Sequence, residues 1–174
     1  RTVSDSIRLE DPNAKIIIMG DLNDGPYNDS VKKILDGKKK QKKVSNNSFY
    51  NPWMNFIDKG IGTLAYRDSW NLFDQVLFSK GFVNKKTDGY HFYKAHIFNK
   101  PFMRQRSGKY KGYPKRSFSF DNYNKGYSDH FPVYSFIIKK RYTYIRCTVF
   151  KRCKRDWQSL YLEIRYLISY NEFF

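Results

Sequence analysis

Three short stretches of the chain hold side chains suited to work on a phosphate, a water or a metal. In the first, the apolar run Ile16–Met19 ends in Gly20-Asp21-Leu22-Asn23-Asp24. Asp21 and Asn23 have the period-2 spacing that puts two side chains on one face of an extended segment. A carboxylate and a carboxamide at the mouth of a strand can position a water or a hydrated cation. The same letters also fit an Asx-rich turn, because Asn23-Asp24-Gly25-Pro26 is strong turn chemistry. The second stretch is Phe73-Asp74-Gln75-Val76-Leu77-Phe78, where an acid interrupts an apolar strand. Such an acid is costly unless it is paired, faces a site, or sits on an edge in water. The third is Tyr127-Ser128-Asp129-His130-Phe131-Pro132-Val133, whose His130 alone among the 3 histidines has a neighbouring carboxylate. Imidazole titrates near neutrality and can move a proton or bind a phosphate. His91 and His96 lie in an aromatic strand-like segment and read as structural.

Elements must bring these stretches together. Val3, Ile7 and Leu9 recur at helical intervals until Glu10-Asp11-Pro12-Asn13 breaks the pattern. Ile16–Met19 reads as a buried strand, with Gly20 supplying a tight turn at its exit. Asn28 or Asp29 is placed to cap a short helix carrying Val31, Ile34 and Leu35. Residues 49–58 mix aromatics with Asn, Pro and Asp and declare no type, whereas Val133–Ile138 reads as a closing apolar strand. Polar clusters at strand ends make one site only by meeting. Ile16–Met19, Val76–Phe78 and Val133–Ile137 are therefore expected as neighbours in one sheet, with Asp74 within hydrogen-bond reach of the His130 ring.

Composition narrows the partners. The 174 residues suit one domain with an appendage, and 40% hydrophobic with 19% aromatic content supplies a core. A formal charge of +17 attracts nucleic acid, anionic surfaces or phosphorylated substrates, or simply keeps a tyrosine-rich chain in solution. Lys38–Lys43 reads as a solvated basic loop. From Gly89 to Phe120 there is no acid, and eight Lys and Arg residues alternate with aromatic rings. That pattern suits either a strand-binding surface or a half-buried β-ribbon. Cys147 and Cys153 match no zinc spacing and read as free thiols. No apolar run approaches the ~18 residues of a membrane span. Beyond Lys140 a basic stretch leads to Trp157, Leu160, Tyr161, Ile164, Leu167 and Ile168 at helical spacing. The chain starts at Arg1, so a missing signal peptide says nothing of its compartment.

Taken in order, Gly20-Asp21-Leu22-Asn23, Phe73-Asp74-Gln75-Val76-Leu77-Phe78-Ser79 and Tyr127–Val133 resemble the endonuclease/exonuclease/phosphatase superfamily, with its deoxyribonuclease-I-like fold. Gly62-Thr63, Tyr66 and Trp70 look like its approach to the Asp-Gln strand. The resemblance covers residues 1–139, leaves 140–174 outside it, and is closest to uncharacterised bacterial members. It implies an α/β (α+β) protein, part of a four-layer αββα sandwich with mixed, mainly antiparallel sheets whose N-terminal half precedes Arg1. It also implies Mg2+- or Mn2+-dependent hydrolysis of a phosphoester, by nuclease or phosphatase action. In that scheme Asp21 positions or deprotonates the attacking water and Asn23 holds the water or the phosphate. Asp129 lies on the metal side, with Asp21 a second candidate ligand, and His130 binds the scissile phosphate while Asp74 fixes its tautomer. The family's early Asn and metal-binding Glu would lie upstream, since Glu10, Glu163 and Glu172 sit in no matching context. The chain alone is then expected to hydrolyse poorly. The rival expectation is a non-catalytic basic module for nucleic acid or an anionic surface.

Overall fold

The computed structural model describes residues 1–119, 121–139, 141–147 and 164–170. The chain divides into two compact units, Arg1–Ile138 and Lys139–Phe174. In the first unit, helix α1 (Thr2–Glu10) covers the segment where the apolar spacing predicts it and leads to strand β1 (Ile17–Asp21). A five-residue π-helical turn, Ser30–Ile34, precedes β2 (Gly37–Lys38) and β3 (Phe49–Tyr50). Asp29 stands at the start of that turn, but neither it nor Asn28 caps it through a side chain. Instead the Asn28 amide and the Ser30 hydroxyl both donate to Asp24, so the polar turn after β1 spends its groups on itself. Helix α2 (Met54–Ile57), the hairpin β4 (Leu64–Tyr66) and β5 (Ser69–Asn71), β6 (Asp74–Ser79), helix α3 (Lys80–Val83) and β7 (Tyr90–Ile97) follow. The unit closes with the short hairpin β8 (Phe118–Ser119) and β9 (Asn122–Tyr123), then β10 (Val133–Lys139). This is a mixed α+β architecture with several sheets and few helices.

The main sheet runs β1-β6-β3-β2. Antiparallel pairing of β1 and β6 sets Ile17 opposite Phe78, Met19 opposite Val76 and Asp21 opposite Asp74. The expectation of a buried first strand is corrected here. β1 lies at the sheet edge: Ile16 and Ile18 pack against a cluster of Val31, Phe49 and Leu77, while Met19 is 73% exposed on the other face. The untyped stretch 49–58 contributes Phe49, Trp53 and Met54, all fully buried. Trp53 joins Tyr50, Leu72, Val76, Phe78 and Phe82 in the larger cluster. The basic run 38–43 is largely exposed, with Lys38 and Lys39 paired to Asp36 and Asp58.

A second correction concerns the third strand. β10 does not join β1 and β6; it pairs with β7 in a separate two-stranded sheet. Pro132 has no N–H to offer a neighbour. Its carbonyl instead accepts the Phe98 N–H at 2.8 Å, which starts the chain along β7. On that sheet His96 stacks on Tyr134, with centroids 5.2 Å apart, and His91 is buried.

In the second unit β11 (Arg141–Cys147) pairs antiparallel with β12 (Ile164–Tyr170), from Arg141 opposite Tyr170 to Cys147 opposite Ile164. The helical stripe expected there is therefore wrong for Ile164, Leu167 and Ile168, which are strand residues. Short runs of β-branched and aromatic residues fit both periods, and pairing decides. Trp157, Leu160, Tyr161 and Cys153 lie outside the described residues. Among the described residues no helix is long and apolar enough to cross a membrane.

Candidate active site

Although β10 lies in a different sheet from β1 and β6, the third polar stretch, just before it, meets the first two. The Nδ1 atom of His130 lies 2.8 Å from Oδ2 of Asp74 and 3.9 Å from Oδ2 of Asp21. The expected Asp74–His130 pair is thus formed. Asp74 and His130 are mostly covered, with side chains 18% and 19% exposed, while Asp21 stands 43% exposed. The Thr63 hydroxyl donates to the same Asp74 oxygen at 2.5 Å. Register explains why Asp74 needs these partners, since it faces Asp21 directly across the ladder. Cross-strand repulsion alone costs only ~0.2–1 kcal/mol. Leaving a mostly covered carboxylate without donors costs about 1–3 kcal/mol or more. Satisfying Asp74 is the larger demand, and the imidazole and hydroxyl meet it.

His130 is held from its own backbone as well as through its ring. The next N–H, that of Phe131, donates to the Thr63 carbonyl at 2.9 Å. The Phe131 ring is buried and stacks on Trp70, with centroids 6.1 Å apart. Thr63 thereby anchors the histidine segment with its carbonyl and Asp74 with its hydroxyl. Gly62 makes this approach feasible: a Cβ there would fall 2.3 Å from the Asn71 carbonyl oxygen, whose partner is the Thr63 N–H. Gly126 does the same for the histidine loop, where a Cβ would meet the Lys115 and Arg116 carbonyls at 2.2 and 2.0 Å.

Beneath the site runs a buried polar chain. The Asn51 amide donates to Oε1 of Gln75 at 2.7 Å, and Nε2 of Gln75 donates to the Asp24 carbonyl at 2.7 Å. Oδ1 of Asn51 accepts the Trp53 N–H. Gln75 and Asn51 are both fully buried, so this chain fixes the turn after β1 relative to β6. Sequence reasoning assigned no role to either residue. Gln75 sits beside Asp74 in the quoted motif, and Asn51 lies in the stretch that declared no type.

Two predicted site residues occupy different surroundings. Asn23 lies beyond the end of β1 at φ +50°, so the extended face expected to carry Asp21 and Asn23 together ends at Asp21. The cause is local: Oδ1 of Asp21 accepts the Asn23 N–H at 3.0 Å and folds the chain into the turn. Asp129 is half exposed and pairs with Arg116 at 3.6 Å, apart from the three-residue cluster.

One ligand atom from each of Asp21, Asp74 and His130 lies within 4.8 Å of the others, close enough to share a cation. The donor set is a fair match for a hard divalent ion, which prefers carboxylate oxygens and keeps several waters. Asp74 and the His130 Nδ1 are already engaged with each other, which leaves the exposed Asp21 carboxylate as the donor freest to take one.

The architecture and the acid–histidine cluster place the chain in a class of mixed α+β proteins with a strand-end site. A family model described as Endonuclease/Exonuclease/phosphatase family matches residues 1–139, and the chain belongs to that family. The family is generally hydrolytic, acting on phosphoesters. A search of curated proteins and a search of solved structures each return no match.

Proposed function

We propose that this protein is a divalent-metal-dependent phosphoester hydrolase, and that its sheets belong to a four-layer αββα sandwich. The observation that carries the catalytic reading is the 2.8 Å contact between His130 Nδ1 and Asp74, with Asp21 3.9 Å from the same nitrogen. An Nδ1–H donated to Asp74 leaves Nε2 as the imidazole nitrogen that addresses the phosphate. The Asp74 carboxylate also stabilises the ring when it carries a proton, as charge builds on the phosphorus oxygens. Asp21 orients the attacking water and accepts its proton, while Asn23 holds that water or a phosphate oxygen. Asp21 and Asp129 are the residues that would hold Mg2+ or Mn2+. When bound, the ion supplies positive charge to the pentavalent phosphorus centre.

The test is turnover of a generic phosphodiester with Mg2+ or Mn2+, using this chain and a longer chain wherever the reading frame continues upstream. EDTA-sensitive turnover that His130→Ala abolishes is the expected result. Independent of turnover, Mn2+ should broaden the His130 ring signals in NMR spectra, and Asp21→Asn should prevent it. If neither chain turns over and Mn2+ leaves the ring untouched, the reading is wrong. The rival reading, a non-catalytic basic module, draws on the +17 charge and would then stand.

A further inference from the structure

A cleft of about 1030 Å3 is lined by residues from the β4–β5 hairpin and from the segment 105–124, and two of these, Lys115 and Arg116, bond to Tyr127 and Asp129 on the loop that leads to His130. Rings and cations alternate along it. Tyr66 and Tyr110 are each more than half exposed. The Arg67 guanidinium lies 5.2 Å over the Tyr66 ring, and Lys109 Nζ lies 5.7 Å over the Tyr110 ring. Tyr110 contacts Tyr113 at 5.6 Å between centroids. Tyr113 contacts Trp70, and Trp70 stacks on Phe131, the residue after His130. Ring contacts thus join the cleft to the buried Phe131, next to His130 in the chain. Arg116, also in the lining, ties the cleft to Asp129 on the histidine loop.

The hairpin tip shows that the cleft is built. Tyr66 and Ser69 pair across two central residues, Arg67 and Asp68, with φ of +48° and +62°. Gly, Asn and Asp occupy such a turn easily whereas Arg does not, and strained residues concentrate where they serve a purpose. Both residues here do so. Arg67 covers Tyr66, while Asp68 accepts the Tyr113 hydroxyl at 2.6 Å and its N–H donates back to that oxygen at 3.0 Å. Tyr113 is oriented before any ligand arrives, and the only acid in the lining is engaged in holding it.

We propose that this cleft binds a single-stranded stretch of nucleic acid running toward His130, with bases stacked on Tyr66, Tyr110 and Tyr113 and phosphates on Arg67, Lys109 and Arg116. The inference rests on the phosphoester-hydrolase reading and names its substrate class. Flat rings with a cation over two of the three, at Tyr66 and Tyr110, match a polymer that alternates bases with phosphates. A compact polyphosphate would need converging cations and no rings. A duplex would keep its base faces covered.

The experiment is fluorescence anisotropy with a labelled 20-nucleotide oligo(dT) and with a duplex of equal length, in EDTA so that nothing is cleaved. The single strand should bind more tightly than the duplex. Tyr66→Ala and Tyr110→Ala should each weaken single-strand binding about tenfold, since one stacked base is worth roughly that much. Phe at either position should restore it, and duplex binding should stay within twofold. Equal affinity for both probes, unmoved by the Ala substitutions, would overturn the proposal and reduce the interaction to charge. The two readings also fail separately. An oligonucleotide held by the tyrosines but never cleaved with Mg2+ or Mn2+ keeps the cleft and sinks the hydrolase. Turnover of a small phosphodiester with oligonucleotide affinity indifferent to the tyrosines keeps the hydrolase and sinks the cleft.

Discussion

Around β6, Asp74, Gln75, Asn51 and Thr63 form a polar group that is buried or nearly so, and each has a stated hydrogen-bond partner. From Arg104 to Tyr127 the chain is mostly exposed and rich in aromatic and basic residues, and among its described residues Asp121 is the only acid. The first region holds its groups by covering them, because a covered donor or acceptor is expensive to leave unmatched and so admits one arrangement. The second leaves most of its cations and rings in water, Tyr113 with its bonds to Asp68 excepted, and there rearrangement is cheap and ligands of varied sequence can be accommodated. Fixed geometry suits proton transfer and an adaptable surface suits holding a polymer. The contrast is therefore between precision and tolerance, and each half of it can be tested separately.

The largest effect belongs to the fixed region. Asp74→Asn keeps the shape but can donate toward His130, favouring the wrong tautomer. By analogy with other orienting carboxylates, kcat in the active enzyme should fall about 10⁴-fold. Near-normal turnover would remove Asp74 from the mechanism. The adaptable region should answer instead to salt. Four cationic residues, Arg67, Lys109, Lys115 and Arg116, line the cleft. At a log–log slope of roughly −0.7 per phosphate contact on a single strand, the three contacts assigned to Arg67, Lys109 and Arg116 mean that raising salt fourfold should weaken oligonucleotide binding about twenty-fold. A flat response would mean that these charges only solvate the surface.

Stability should separate the two regions next. Asn51→Leu leaves the Gln75 carbonyl and the Trp53 N–H without a buried partner and should cost about 1–3 kcal/mol in denaturant unfolding. Lys109→Ala, on the exposed side, should change it by less than about 0.5 kcal/mol. Equal losses would dissolve the distinction. The smallest effect is a titration outside both regions. Loss of water around the Tyr27 hydroxyl, then its bond to Asp58, push its pKa up to about 12. Because the folded value lies above the ordinary one near 10, this contribution to stability is complete below pH ~10 and lost as pH rises through about 12. Burial of Tyr50 and the bond of Tyr113 to Asp68 raise those phenols as well, so ultraviolet titration should show a late group of tyrosines that Tyr27→Phe reduces by one.

The chemistry of the site was more legible in the sequence than its scaffold. Asp21, Asp74 and His130 stand out because an acid or imidazole at the end of an apolar strand suits a site as well as a turn or an exposed edge, and the structure brings all three together. Which sheet β10 would join was not legible, since an apolar strand's own pattern does not name its neighbour, and the structure pairs it with β7. Asn51 was hidden for a different reason. It sits between a two-residue strand and a one-turn helix, both shorter than the periods by which elements are read. Thr63 was visible only as part of a motif, because its hydroxyl acquires meaning through Asp74, eleven residues away.

Gly126 carries no chemistry, yet any side chain there would collide with two main-chain carbonyls, which cannot swing aside as a flexible side chain can. In a saturation screen for function, position 126 should therefore appear as intolerant as position 130, and the variants should fail for opposite reasons. Replacements of His130 should leave a folded, soluble protein that is silent, whereas replacements of Gly126 should shift the loop that presents His130. A library designed to retune substrate choice gains most by varying the exposed tyrosines and leaving this one hydrogen-sized side chain alone.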